Sequence, residues 1–403
     1  MFVSGTGIFY IFCAMQRVYL DHTATTPLDP LVREAMQNVP PDAFGNPSSA
    51  HWYGRQAREL LESAHATIAA CIGASPAEII LTSGGTESDN HAVRGTFTAA
   101  RAAGRDHLIT TAAEHHAVLD TCRALQSEGA ALTILPVDSH GRIRLADLAE
   151  ALTDRTALVS VIHGSNEIGS IAPIKAIAEI AHGHGALVHT DAVQTVGKIP
   201  VSVAELGIDL MTFTAHKLYG PKGIGALYVR RGIALKNLLE GGGQERGRRP
   251  GTENIQLAVG FAAAMEIASA GMSKESTRLA SFRDALQRIL LERIRGIVVN
   301  GHPSERLPHI LSISIDQAVM PLEGELLVPN MDLEGIAVSS GSACTSGSEQ
   351  PSHVLLALGR DRETARATVR FSFGRMNLPE DVDRAAAALG DVVGRMTRKV
   401  SSP

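Results

Sequence analysis

Four short stretches carry residue types that can do chemistry. Ser83-Gly84-Gly85-Thr86-Glu87-Ser88 follows the apolar run Ile79–Thr82 and opens a helical pattern. A Gly-rich strand-to-helix turn offers N–H groups and a positive dipole end to a phosphate, and Thr86 adds a hydroxyl donor. By itself the stretch reads better as a plain N-cap turn, since Ser and Thr favour that position. It lacks the GxxxxGK[ST] spacing of a nucleoside-triphosphate loop, and Gly220–Gly225 does not sit as a GxGxxG fingerprint after a strand.

In His189-Thr190-Asp191-Ala192-Val193-Gln194, Asp191 closes the expected strand Ala186–Thr190. Ligands of open α/β sheets gather at such ends. A carboxylate there can pair with a protonated heterocyclic nitrogen, and a helix N-cap reads equally well. Lys217 lies just past a strand end, in the Gly-rich stretch Thr212–Gly223. That suits a Schiff-base amine whose pKa falls on burial, although lysine is ordinarily solvated. Thr214 and His216 can each donate to a phosphate. The fourth stretch, Val338–Ser348, surrounds Cys344 with Ser and Gly. Free cysteine is usually a small buried hydrophobe. Cys71 and Cys122 fall in helical patterns and fit that role. Cys344 has no apolar face around it, and loops carry function.

The elements that would position these residues alternate. Strands are expected at Ile79–Thr82, His107–Thr111, Leu132–Leu135, Ala157–Ile162, Ala186–Thr190, Leu210–Thr214 and Gly225–Val229, with helical patterns between them. One helical stripe carries Leu61, Ala64, Ile68 and Ile72, and another starts at Pro173 with Ile174, Ile177 and Ile180. This is the pattern of an α/β fold with a mostly parallel sheet covered on both faces by helices. After about residue 255 two helices, Asn254–Ala270 and Lys274–Arg293, precede strands near Ile310–Ile315 and Ala367–Phe373 and a last helix from Pro379. The expected organisation is an extension over 1–16, a large domain over 17–255 and a smaller α+β domain over 256–403.

Composition agrees with a folded globular chain. The 403 residues are 44% hydrophobic and 20% charged, which excludes a disordered or collagen-like chain. With 37 basic and 42 acidic residues the net charge is −5, and no basic tract stands out. Direct nucleic-acid or anionic-membrane binding is therefore not expected. Four cysteines without a CxxC pair form no disulfide framework and fit a reducing, cytoplasmic setting. The apolar run Ile8–Met15 is too short to span a bilayer and lacks the basic flank of a signal peptide. Residues 1–16 read either as a disordered tail or as lying upstream of a true start at Met15.

Taken together, the motifs resemble a cysteine desulfurase of the NifS/IscS type, within the aminotransferase class-V group of pyridoxal-phosphate enzymes. The likeness runs from Tyr19 to about Asp383. It rests on Ala24-Thr25-Thr26-Pro27, Gly45-Asn46-Pro47-Ser48-Ser49, Ser83–Ser88, Glu114-His115, Asn166-Glu167-Ile168-Gly169, His189–Gln194, His216–Gly225, Gly241–Gly247, Ser339–Ser346 and Arg370-Phe371-Ser372. The resemblance implies a fold-type-I architecture with pyridoxal 5'-phosphate as cofactor and L-cysteine as substrate. Lys217 matches the lysine that holds the cofactor. Asp191 matches the partner of the ring nitrogen, Gln194 the group on the phenolic oxygen, and His115 the histidine stacked on the ring. Gly85, Thr86, Thr214 and His216 match the phosphate cradle. Thr252 matches the threonine reaching the neighbouring subunit's phosphate, which implies a homodimer. Asn166 and Arg370 match groups near the substrate carboxylate, with Asn166 also at the cofactor.

Cys344 matches the nucleophile, on a loop of the long subgroup that hands sulfur to a protein acceptor. The implied reaction has Lys217 remove the Cα proton and the Cys344 thiolate take the substrate sulfur as a persulfide, releasing alanine. His115 is the expected acceptor of the thiol proton. The resemblance implies no resident metal, with Cys344 at most a ligand to an iron–sulfur cluster in transit. The acceptor, an iron–sulfur scaffold or a tRNA-thiolation relay, is not named by the sequence. His22, Gly85, Ala113 and Gly164-Ser165 depart from the family's commoner residues at positions flanking the catalytic groups.

Other readings compete. Selenocysteine lyase uses the same cofactor chemistry, and the long Cys344 loop favours cysteine as the substrate. A metal site at His182, His184, His189 and Asp191 is disfavoured because helix positions two apart do not share a face. A non-catalytic sulfur-assembly partner would not need Lys217, Asp191, His115 and Cys344 together.

Overall fold

The computed structural model describes residues 17–340 and 350–400, with side chains through residue 397. Its centre is a seven-stranded sheet built from β2 (Ile79–Thr82), β3 (His107–Thr111), β4 (Ala131–Leu135), β5 (Thr156–Ser160), β6 (Leu187–Asp191), β7 (Leu210–Thr214) and β8 (Gly225–Val229), with β1 (Val18–Tyr19) standing outside it. The order is β2-β8-β7-β6-β5-β3-β4. Strands β3 to β7 pair in parallel, and β8 runs antiparallel to both β7 and β2. Every residue of β5, β7 and β8 is buried, as a sheet covered on both faces requires.

Alternation along the strands sorts their side chains into two cores. Ile79, Leu81, Ile109, Val159, Val188, Met211 and Phe213 pack with the helices Trp52–Ala70, Ile174–Gly183 and the first part of Ile255–Arg293. Ile80, Leu108, Leu158, Leu210 and Leu227 face the helices Gly85–Arg101 and His116–Ser127 on the other side.

A smaller unit holds β9 (Ile297–Asn300), β10 (Ile310–Ile315), β11 (Ile336–Ala337) and β12 (Thr368–Ser372). An antiparallel sheet β12-β10-β9 packs with the helix Pro379–Val400, and β1 pairs in parallel with β11. Two expectations change here. The helices expected at Asn254–Ala270 and Lys274–Arg293 are one helix of 39 residues, Ile255–Arg293. Gly271 costs such a helix only about 1 kcal/mol, and anchorage at both ends outweighs that. Its residues up to Ala268 belong to the large core and those from Leu279 to the small one. The cores therefore divide inside this helix and not at residue 255. Val18 and Leu20 also pack in the small core, so the described residues enter the smaller unit first and return to it. The helix is long and apolar enough by composition to cross a membrane, but two protein cores take up its apolar residues.

Candidate active site

The carboxyl ends of β5, β6 and β7 open on a cavity of about 390 Å3. Gly85, Thr86, His115, Asn166, Asp191, Gln194, Thr214, His216, Lys217 and Arg370 all line it. Thr252 does not. It lies in a separate shallow depression with Gly241, Gln244 and Pro250. Cys344 lies outside the described residues.

The turn after β2 becomes the helix Gly85–Arg101, and no described side chain caps that helix at Gly84. Its first-turn N–H groups at the cavity wall thus keep their capacity to bind an anion. Close approach explains the glycines. A Cβ on Gly225 would sit 2.8 Å from the Gly84 backbone, and one on Gly85 would come within 3.1 Å of Val193 Cγ2. Glu87 accepts from Ser83 N–H at 2.8 Å and pairs with Arg249 at 2.8 Å. This ties the turn to the segment that carries Thr252. Burial opposes ionisation of Glu87, but the Arg249 and Ser83 bonds outweigh it and hold the carboxyl below its usual range.

Lys217 ends a short 3-10 turn, Ala215–Lys217, directly after β7. Its Nζ donates to Thr23 O and Ala24 O, each at 2.6 Å. Gln194 Nε2 donates to the same Thr23 carbonyl at 3.0 Å. His216 Nδ1 contacts Thr25 Oγ1 at 3.1 Å. Burial first, then the Lys217 charge, pushes the His216 imidazole down to about 4, so the ring is neutral. Thr214 is buried and donates to Ile224 O.

His115 caps the helix His116–Ser127, its Nδ1 accepting from Ala117 N–H at 3.1 Å. Arg370, on β12, is 1% exposed and joins the two units. It donates to Asn166 O at 2.9 Å and pairs with Asp21 at 2.8 Å.

The comparisons with known proteins decide the family. Residues 18–385 match the aminotransferase class-V family. The chain is 45% identical over 381 residues to the cysteine desulfurase IscS of Dictyoglomus turgidum, covering 94% of this chain and 95% of that protein. A solved NifS-like protein superposes with a TM-score of 0.87 at 36% identity, covering 94% of this chain and all of the other. SspA in complex with cysteine superposes with a TM-score of 0.77 at 34% identity over 88% and 98%. The chain belongs to the NifS/IscS cysteine desulfurase family.

Several groups at this desulfurase-family site were not legible as site residues in the sequence. Asp89 is almost fully buried and lines the cavity. With Ala92, Val93, Thr96 and Phe97 it lies on the buried stripe of its helix, and an acid at that spacing was the available signal. Lys198 donates to Gln194 Oε1 at 2.8 Å. His353 lines the cavity, donating from Nε2 to Glu114 O at 2.9 Å.

Among the described residues, Asp89, His115 and Asp191 are the one group of three metal-ligating side chains that comes together, with their ligand atoms within 4.8 Å of one another. The set His182, His184, His189 and Asp191 does not converge. His182 bonds Asp209 at 2.9 Å, and the His189 ring spans Ser160 and Thr212.

Proposed function

We propose that the chain is a cysteine desulfurase that binds pyridoxal 5'-phosphate, removes sulfur from L-cysteine, releases L-alanine and carries the sulfur as a persulfide on Cys344. The observation that supports this best is the single cavity shared by the Lys217 amine, the buried Asp191 carboxyl and the uncapped helix start at Gly85 and Thr86. These groups fit the cofactor's aldehyde, ring nitrogen and phosphate in turn. Gln194 is the partner for the phenolic oxygen, and Thr214 and His216 complete the phosphate cradle. When bound, pyridoxal phosphate supplies a sink for the electron pair left at the substrate Cα.

The chain's own residues do the rest. Lys217 Nζ, steadied by the Thr23 and Ala24 carbonyls, takes the Cα proton and later returns it. Arg370, already fixed by Asp21 and Asn166, offers its guanidinium to the substrate carboxylate. His115 accepts the Cys344 thiol proton. Cys344, then a thiolate, attacks the substrate sulfur; the new S–S bond forms as the C–S bond breaks, and that bond's electron pair stays with the substrate carbon, which takes the proton from His115 as alanine forms. The separation of Thr252 from the cavity of its own chain fits a role across a homodimer interface. The persulfide then passes to an acceptor protein.

The visible spectrum of purified protein before and after L-cysteine, with alanine assayed, tests the reading. A yellow protein whose band shifts with cysteine is expected, with both band and alanine lost in Lys217→Ala. Borohydride labelling at Lys198 or Lys222 in place of Lys217, or a colourless protein that makes alanine, overturns it. Sedimentation is expected to give about twice the 42.6 kDa chain mass.

A further inference from the structure

Behind Lys217 lies a second cavity, of about 410 Å3, lined by His22, Lys198, Lys217 and His309 among others. Lys198 is on its wall, and Gln194 is on the wall of the candidate active site. The contact between these two residues therefore crosses the partition from one cavity to the other.

An amide side chain has one accepting end and one donating end. Gln194 Oε1 meets Lys198 Nζ at 2.8 Å, and Gln194 Nε2 meets Thr23 O at 3.0 Å. A lysine head group donates, and a backbone carbonyl only accepts. Reversing the amide would set N–H against N–H at one end and carbonyl oxygen against carbonyl oxygen at the other. One orientation is allowed, and Lys198 supplies half of the constraint. The Thr23 carbonyl also takes Lys217 Nζ at 2.6 Å, so Lys198, Gln194, Thr23 and Lys217 form one connected chain of hydrogen bonds. Burial first, then the charge of Lys217, pushes the Lys198 ammonium down to about 7. An amine still donates after losing its proton, so the constraint holds in either state.

We propose that Lys198 is a positioning residue that acts from the second cavity through Gln194, holding the Gln194 NH2 end toward Thr23 O and the cofactor cavity. This rests on the reading of that cavity as a pyridoxal-phosphate site. Lys198 touches neither cofactor nor substrate in this arrangement. The 410 Å3 behind it leaves room for a larger donor in its place.

The test compares Lys198→Met, which removes the donor, with Lys198→Arg, which keeps one. The readouts are the absorption maximum of the loaded protein, cofactor retention on dialysis and the unfolding temperature of the cofactor-free protein. Loss of one charge-assisted hydrogen bond predicts cofactor retention about tenfold weaker in Lys198→Met, a displaced absorption maximum, and near-normal values in Lys198→Arg. The cofactor-free unfolding temperature is expected to stay close to that of the parent chain. Adding Lys198→Met to Gln194→Met is expected to cause little further loss, because the effect runs through Gln194. Should Lys198→Met fail to fold, Lys198→Gln takes its place with the same expectation. An unchanged spectrum and retention in Lys198→Met overturns the proposal, as does Lys198→Arg being equally impaired or full additivity with Gln194→Met. Parent protein that takes up no pyridoxal phosphate defeats the functional reading instead.

Discussion

Asp89 and Asp191 bring carboxyl oxygens within 4.8 Å of each other at the floor of the cavity, and both are buried. Two such acids do not both ionise. Burial and the neighbouring Asp191 push Asp89 well above the usual carboxylate range. The His189 imidazole, 3.6 Å away, is itself held neutral by burial. Asp191 is raised too, chiefly by burial, but less far than Asp89, because His115, the Val193 N–H bond and Lys217 oppose the rise. Asp89 is therefore the protonated member, and Asp191 is left as the anion that a ring nitrogen needs.

That division predicts unequal effects of removing the two charges. Asp89→Asn replaces one neutral group with another and is expected to hold kcat and the cofactor spectrum within about threefold of normal. Asp191→Asn removes the anion and is expected to lower kcat about 100-fold or more. Matched losses in the two variants, measured by alanine release, would falsify the assignment of the proton to Asp89.

Arg370 is expected to govern substrate affinity more than turnover. Its planar fork is held by Asp21 and Asn166, and lysine cannot reproduce that geometry. Arg370→Lys is expected to raise KM for cysteine about tenfold or more, with a smaller change in kcat. An unchanged KM with a collapsed kcat would place Arg370 in proton handling instead.

Much of this arrangement was legible in the sequence. β2, β3, β7 and β8 begin and end where their β-branched runs and the flanking Gly and Thr residues place them. β5 and β6 drift by one or two residues. Local spacing brought Lys217, Asp191 and Thr86 forward, since each stands at a strand end or helix start, and His115 came only with the family resemblance. Asp89 and Lys198 stayed hidden for a different reason. Asp89 matters through Asp191, 102 residues away along the chain, and the Thr23 carbonyl that links Gln194 to Lys217 is contributed by the first turn after β1. The single long helix was hidden by Gly271, whose helix-breaking tendency is real but small.

Glu114 gives a pH-dependent expectation. It is fully buried, accepts from Ile162 N–H at 3.0 Å and from Thr111 Oγ1 at 2.7 Å, and burial pushes its carboxyl from 4.5 to about 8. The folded state binds this proton more tightly than the unfolded chain does. The contribution to stability is therefore fully present below about 4.5 and lost as pH rises through about 8, at about 1.4 kcal/mol per pH unit while only the folded state is protonated. Glu114→Gln removes that dependence. Urea unfolding of the cofactor-free protein at pH 5.5 and 8 is expected to show a smaller difference in the variant than in the parent chain. An equal difference in the two proteins would mean that Glu114 is ionised when folded.

The cysteines separate by environment. Cys122 packs in the core between β3 and the helix His116–Ser127, and burial, with Glu114 second, pushes its thiol up to about 12. A thiol in that state is almost entirely protonated at neutral pH and inert as a nucleophile. Cys71 ends the helix Trp52–Ala70 and packs partly against the large core. Neither residue lines the candidate cavity, so neither can reach a sulfur held there. Cys13 and Cys344 lie outside the described residues, and the family resemblance makes Cys344, in its Ser/Gly stretch, the proposed sulfur carrier. Cys344→Ser replaces a thiol with a poorly nucleophilic hydroxyl and alters none of the residues assigned to the cofactor. The variant is expected to keep its yellow colour and to respond spectrally to cysteine, while alanine release falls by orders of magnitude. Cys71→Ser and Cys122→Ser are expected to change stability alone, with Cys122→Ser the more damaging because it buries a hydroxyl. Mass mapping of tryptic peptides after cysteine treatment is expected to place the extra sulfur on Cys344. Sulfur on Cys71 or Cys122, or normal turnover in Cys344→Ser, would mean that the nucleophile lies elsewhere.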